Sequence, residues 1–208
     1  MTTPKIQNLG SGPQIADLFL RGLGLIFAVA FFSLGVQVEE LISSRGLLPA
    51  QAFLEQVAAG NSEGAFWKLP SVFWYRSDDI WLNHLTWLGV IFALTATAGI
   101  YPRIFLGLCA ALYLSYATVC REFLYFQWDN LLIECGVLSI FLPRNKRANW
   151  IHFLFRILLF KLYMESGIAK WQSYLQDWHD GSAMTFYYET APIPTWLSWH
   201  FHHLPLWW

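Results

Sequence analysis

The chain has 208 residues, of which 56% are hydrophobic and 13% charged, with a formal net charge of −1 and a mean hydropathy of +0.38. Soluble domains carry about 25% charged residues, so this composition excludes an ordinary water-soluble domain. The balanced charge also excludes the basic footprint of a nucleic-acid binder, and no nucleic acid is expected as a partner.

Residues 1–14 are polar and contain Gly and Pro, and read as a flexible N-terminus. They lack the charged start, short apolar core and small-residue site of a cleaved signal peptide. The first membrane span is expected at 15–38, where Gly22, Gly24 and Gly35 would let other helices come close. Residues 39–79 form a polar loop. Within it a short amphipathic, interfacial helix is expected from Pro49 to Ala59, with Pro in its first turn and Gly60-Asn61-Ser62 ending it. Phe66-Trp67-Lys68-Leu69-Pro70 and Phe73-Trp74-Tyr75 read as an interfacial segment. Asp78 and Asp79 can cap a second span at 80–100.

Tyr101-Pro102-Arg103 is a tight turn into a third span at 104–119. A polar, aromatic link over Arg121–Trp128 follows, and a fourth span is expected at 123–142, ended by Pro143-Arg144-Asn145-Lys146-Arg147. The fifth span, 150–170, is long enough to cross a bilayer at about 20 residues. The tail, 171–208, is aromatic and interfacial. The reading is therefore all-α: a polytopic transmembrane helical bundle of about five spans, flanked by the flexible start and the tail. Its 12 Trp fit a lipid boundary, where an apolar ring with one polar end is at home. Membrane lipids are its expected surroundings.

Orientation follows from basic residues near short connections. Lys5, Arg103, Arg144, Lys146 and Arg147 mark the cytoplasmic side, which places the N-terminus there. Glu39, Glu40, Glu55, Glu63, Asp78 and Asp79 put the first loop on the lumenal or periplasmic side.

The fifth span carries Arg156, Lys161 and Glu165 in its middle and Lys170 at its end. Charges at bilayer depth cost roughly 2.5–3.5 kcal/mol each on insertion scales. They persist where they pair or face a protein interior. Lys161 and Glu165 are four apart and share a face. Asp129, Asn130 and Glu134 lie near the start of the fourth span, and Glu122 aligns with Asp129 if that helix is continuous. Acids there and bases in the fifth span invite pairs such as Asp129 with Arg156 or Glu134 with Lys161. Two readings of this intramembrane polar network stand: a structural set of ion pairs that fixes helix register, or a polar cavity that binds or transforms something. Lys170 likewise reads either as a desolvated base or as a snorkelling anchor beside Trp171. In the tail, Asp177, His179 and Asp180 cluster, and Glu189 follows; a capped turn at the membrane surface accounts for the first three. His200 and His203 share a face, but the Trp residues and Pro205 around them read as interfacial, and no metal site is expected. Cys109, Cys120 and Cys135 have no paired spacing and read as small buried hydrophobes.

Four motif blocks, taken in order, resemble the lipase maturation factor family. They are Ser44-Arg45-Gly46-Leu47-Leu48-Pro49-Ala50; Phe126-Gln127-Trp128-Asp129-Asn130-Leu131-Leu132-Ile133-Glu134 with Phe141-Leu142-Pro143; Phe155-Arg156 with Ser166-Gly167-Ile168-Ala169-Lys170; and Tyr188-Glu189-Thr190-Ala191-Pro192-Ile193-Pro194 with Leu204-Pro205. The resemblance implies a multi-pass endoplasmic-reticulum membrane protein, or an inner-membrane protein in a bacterium, that helps secreted clients such as lipases to fold. Two departures stand out: the family pattern has His and Gln in the block reading Tyr187-Tyr188-Glu189-Thr190-Ala191 here, and family members are longer, with a soluble C-terminal part.

Gly167-Ile168-Ala169-Lys170 and Trp178-His179-Asp180-Gly181 are also similar, more distantly, to the membrane domain of vitamin K-dependent γ-carboxylase. That likeness implies Lys170 as a base acting on a quinone or lipid. The expected functions are thus a maturation factor for secreted clients, with an intramembrane enzyme and a structural subunit of a membrane complex as alternatives. No resident cofactor is expected; a lipid or quinone is the ligand class the second reading requires.

Overall fold

A computed structural model describes residues 12–60, 64–143, 149–190 and 195–205. Expectations resting on Lys5, Asn61, Ser62, Arg144, Lys146, Arg147 and 191–194 lie outside the described residues.

The described residues form helices α1 (Gly12–Gly35), α2 (Val38–Ile42), α3 (Ala50–Gly60), α4 (Ala65–Lys68), α5 (Asp79–Thr97), α6 (Pro102–Cys120), α7 (Gln127–Ile140), α8 (Asn149–Trp171), α9 (Asp177–Asp180), α10 (Ala183–Thr190) and α11 (Trp196–His202). Single 3₁₀ turns sit at Val72–Trp74 and Arg121–Leu124. There is no strand among them. The chain divides into two compact units, Met1–Leu158 and Leu159–Trp208, so the boundary falls within α8.

In the first unit α1 packs along α5, α5 along α6, and α6 along α7, with α1 also touching α6 and α7. The core sits between them: Phe27, Phe31, Ala93, Leu106, Cys109, Tyr116 and Val119 are almost fully buried. Close approach has a visible cause at Gly24. A Cβ there would lie 2.8 Å from the backbone nitrogen of Thr97 and 3.0 Å from the carbonyl oxygen of Ala93. Gly136 does the same for α7, where a Cβ would meet Ala110 at 2.8 Å and the Phe27 ring at 2.9 Å. Gly22 differs from its expected role, since nothing lies within 4 Å of a Cβ built there. It faces outward.

Three helices are long and apolar enough to cross a membrane: Ile15–Gly35, Asp79–Thr97 and Pro102–Leu124. They coincide with the first three expected spans. Their outward faces carry Leu18, Leu25, Ile26, Val29, Phe32, Ile91, Leu94, Ile104 and Leu108. So continuous an apolar surface needs lipid rather than water around it. The hydroxyls within them fold back onto their own helix: Thr95 donates to Ile91, Thr97 to Ala93, Ser115 to Ala111 and Thr118 to Leu114. A medium without water leaves them this choice. The chain is an integral membrane protein.

The fourth expected span begins later than the sequence suggested. α7 has 14 residues and starts at Gln127. α6 ends where Arg121 takes a φ of 46° and a ψ of −114°, and a 3₁₀ turn over Arg121–Leu124 intervenes, so Glu122 and Asp129 do not share one continuous helix. α8 has 23 residues, enough to span, with Arg156, Lys161, Glu165 and Lys170 along it.

Candidate functional site

The alternation of α1, α5, α6 and α7 brings one end of the first unit together: the C-termini of α1 and α6, the N-termini of α5 and α7, and residues 36–60 and 64–78. This end is tied down by side chains. Ser44 donates its N–H to Asp79 Oδ1 at 2.7 Å and its hydroxyl to Oδ2 at 2.6 Å. Asp79 thus anchors the Ser44-Arg45-Gly46 turn instead of capping α5. Asp78 turns to Arg76. The Leu47 and Leu48 N–H groups return to the Glu40 and Leu41 carbonyls, which closes the turn over α2.

The segment 69–75 is fixed onto α6. Ser71 donates to the Ser115 carbonyl at 3.1 Å, and the Val72 N–H donates to Ser115 Oγ at 3.2 Å. Trp74 Nε1 donates to the Leu69 carbonyl at 2.8 Å. Beneath them Phe73 packs edge-on against Tyr116 at 4.9 Å. The Tyr116 hydroxyl lies 2.7 Å from that of Thr86 and also reaches the Leu82 carbonyl. From this rigid frame several aromatic side chains project freely: Trp67 is 84% exposed, Tyr75 87% and Tyr125 83%. Phe126 and Trp128 stack on one another at 4.6 Å beside them. Arg121 lies over the Phe53 ring at 4.7 Å, so the strained link also grips α3.

Asp129 is the buried acid of this end, 5% exposed in the first turn of α7. Tyr113 donates its hydroxyl to Asp129 Oδ1 at 2.7 Å. The second oxygen, Oδ2, is covered and has no hydrogen-bond partner. The expected pairing with Arg156 is not formed, because Tyr113 reaches the carboxylate across the α6–α7 hairpin while Arg156 is exposed on α8. Asn130 is exposed and Glu134 half-buried further along α7. An open groove of about 650 Å³ runs from Asp129 along α1, past Gln37 and Ser33 to Val29, Ile26 and Leu25.

The remaining expected site residues belong to the second unit. Lys161 is half-buried, and Glu165 and Lys170 are exposed. The Lys170 ammonium rests over the Trp178 ring at 5.0 Å, a cation–π contact. Asp177 and Asp180 come together on one hydroxyl: Ser182 Oγ lies 3.1 Å from Asp177 Oδ1 and 2.7 Å from Asp180 Oδ1, and the Ser182 N–H also donates to Asp180 at 2.9 Å. Those hydrogen bonds hold the Asp180 carboxyl below its ordinary range. Gly181 ends α9 at a φ of 85°, a conformation that needs glycine. His179 Nε2 lies 3.2 Å from the Ser173 carbonyl. Glu189 approaches His202 at 3.6 Å. Among the described residues no group of three or more His, Cys, Asp or Glu side chains is arranged to hold a metal. Cys109, Cys120 and Cys135 are unbridged.

Comparison with known proteins follows the same residues. The family described as the lipase maturation factor transmembrane domain matches residues 14–208. Lipase maturation factor 2 of Rattus norvegicus is 35% identical over 219 residues, covering 92% of this chain and 30% of the rat protein. The Homo sapiens protein of that name is 35% identical over 217 residues, with the same coverage of 92% and 30%. Lipase maturation factor 1 of Bos taurus is 30% identical over 208 residues, covering 91% of this chain and 37% of its own length. The chain thus spans about a third of the length of these relatives. No solved structure gives a significant match.

Proposed function

This chain belongs to the lipase maturation factor family, and from that premise we propose that it is the membrane-embedded part through which such a factor meets secreted clients, lipases in the type case. The observation that supports this is the aromatic end of the first unit. Trp67, Tyr75 and Tyr125 stand almost fully exposed, at an end of the bundle where Ser71 and Val72 are bonded to α6 and Ser44 to α5. Exposed apolar surface on a rigid frame is suited to holding a partly folded partner, because the frame loses little freedom on binding. The basic residues of the opposite connections, Arg103 among them, support a lumenal or periplasmic position for this end and a cytoplasmic N-terminus. In a eukaryotic cell the membrane is that of the endoplasmic reticulum. α7 and α8 are the fourth and fifth crossings.

The test is co-expression of the full-length protein with a secreted lipase. Combined Trp67→Ser, Tyr75→Ser and Tyr125→Ser changes are expected to lower the specific activity of the secreted enzyme several-fold while the membrane protein keeps its level. Unchanged specific activity would overturn the proposal. Labelling of Cys introduced at position 75 by an impermeant reagent checks the side of the membrane.

A further inference from the structure

The end of the first unit opposite the aromatic one carries a different chemistry. There the chain turns from α5 into α6 over Ala98–Tyr101. Both helices are long enough to cross a membrane, so the turn lies at a bilayer surface. A cavity of about 470 Å³ opens beside it, walled by Leu20 of α1 and by Gly99, Ile100, Pro102, Arg103 and Ile104. Its volume falls in the range of ligand sites, about 300–1,000 Å³.

Two guanidinium groups meet at this cavity. Arg103 lines it directly. Arg21 arrives from α1, and its guanidinium lies on Gly99, where an added Cβ would stand 2.5 Å from Nη2 and 2.8 Å from Cζ. Gly99 also has a φ of 85°, so both its backbone and the room it leaves to Arg21 require glycine. Asp17 accepts from Arg21 Nε at 2.9 Å and fixes the plane of the group. Arg103 makes no ion pair with a described residue; its Nη1 stands 3.5 Å from the Leu142 carbonyl, at the outer limit of a hydrogen bond. Asp17 is the one acid of α1, and the sequence holds none between Asp79 and Glu122. The site therefore keeps a positive charge.

That charge and its surroundings select the occupant. A guanidinium fork matches the oxygens of a phosphate. Ile100, Tyr101 and Ile104 are exposed at the cavity, and Leu108, four residues beyond Ile104, continues an exposed apolar stripe along α6. A soluble anion would leave that stripe unused, whereas an acidic lipid engages both parts. Basic clefts between membrane helices suit such head groups.

We propose that this cavity binds the head of an anionic phospholipid, its phosphate between Arg21 and Arg103 and one acyl chain along Ile104 and Leu108. The assignment does not depend on the client reading above, which rests on the other end of the bundle.

The experiment uses the full-length protein in phosphatidylcholine nanodiscs with a trace of photoactivatable phosphatidate. Labelling of the peptide covering residues 98–108 is expected, and unlabelled phosphatidate should compete. Arg103→Gln changes an exposed side chain and is expected to reduce labelling about five-fold; Arg21→Gln with Arg103→Gln is expected to reduce it about twenty-fold. Arg76→Gln, an exposed arginine at the aromatic end, should leave it unchanged. Undiminished labelling of the Arg103→Gln protein, or an equal fall in the Arg76→Gln protein, would overturn the site. Equal labelling by a photoactivatable phosphatidylcholine would overturn the acidic head, and full competition by inorganic phosphate would overturn the choice of a lipid.

Discussion

Residues 15–158 bury Phe27, Phe31, Phe73 and Tyr116 almost completely, whereas no described residue from Leu159 to Pro205 is buried. The two regions draw on similar side chains. The second carries Trp171, Tyr174, Trp178, Trp196 and Trp199, rings as large as any in the first. Length separates them. α1, α5 and α6 run for 24, 19 and 19 residues. Helices of that length meet along several turns and surround a ring from all sides. α9, α10 and α11 have 4, 8 and 7 residues, too short to be stable in isolation or to enclose one another. The contrast teaches where aromatic content becomes core and where it stays surface. A surface of that kind takes its stability from what it touches.

The contrast breaks most completely at Gly24. Gly24→Leu forces a side chain into the backbone of Thr97, which cannot yield as a side-chain tip can. Overpacking costs about 1–3 kcal/mol and more where backbone is struck. Loss of the folded, monodisperse protein is expected in detergent. Gly22→Leu, two residues away and open to lipid, should leave the elution profile and melting temperature unchanged. If both variants behave alike, the α1–α5 contact is not what holds the first unit.

Next in size is the buried acid. Tyr113→Phe leaves Asp129 with both oxygens unpaired, a loss of about 1–3 kcal/mol. The double change with Asp129→Leu should recover part of it, and a double-mutant cycle on thermal unfolding measures the coupling. Tyr188→Phe in the tail, where the ring stacks on Phe201 at 6.4 Å, should change stability very little. A smaller effect is expected from Ser44→Ala, about 1 kcal/mol for the lost hydroxyl bond to Asp79. Faster hydrogen exchange at Leu47 and Leu48 would report it, with the tail unaffected.

Much of this architecture is written in local patterns. Apolar runs marked α1, α5 and α6; Pro49 marked the start of α3; Tyr101-Pro102 marked the turn, with Pro102 at the head of α6 and Tyr101 in the left-handed region. What escaped was set by contacts between elements. Nothing in residues 121–128 announces that Arg121 takes a positive φ, so the fourth helix reads as longer than its 14 residues. Charge alone points Asp129 at the charged helix, because opposite charges attract. The partner is a neutral hydroxyl fixed by hairpin geometry. Tyr113 and Asp129 each stand eight positions from Arg121, on either side of the turn. An antiparallel helical hairpin sets such residues at one depth. That symmetry was available in the sequence once the turn was located. The double hold of Ser44 on Asp79 was not, since it joins positions 35 residues apart.

The finest test of the contrast lies in the tail. One turn there is bonded through side chains at Asp177, Asp180 and Ser182. The Asp180 carboxyl is lowered first by the Ser182 N–H, then by the Ser182 hydroxyl. A carboxylate lowered in the folded state adds stability that is fully present above its ordinary pKa and is lost as pH falls through the lowered one. The Ser182 amide shift and its exchange protection are therefore expected to hold steady from neutral pH down through the usual carboxylate range, and to change only below it. Asp180→Asn keeps an acceptor for both Ser182 donors but nothing to titrate, so the acid transition should disappear while the turn persists. The first unit, held chiefly by its buried apolar core, should keep its melting temperature across the same interval. A cooperative loss of the whole protein at the pH where the Ser182 amide responds would mean that the tail and the bundle unfold as one body, and that the difference in burial between them does not divide their stability.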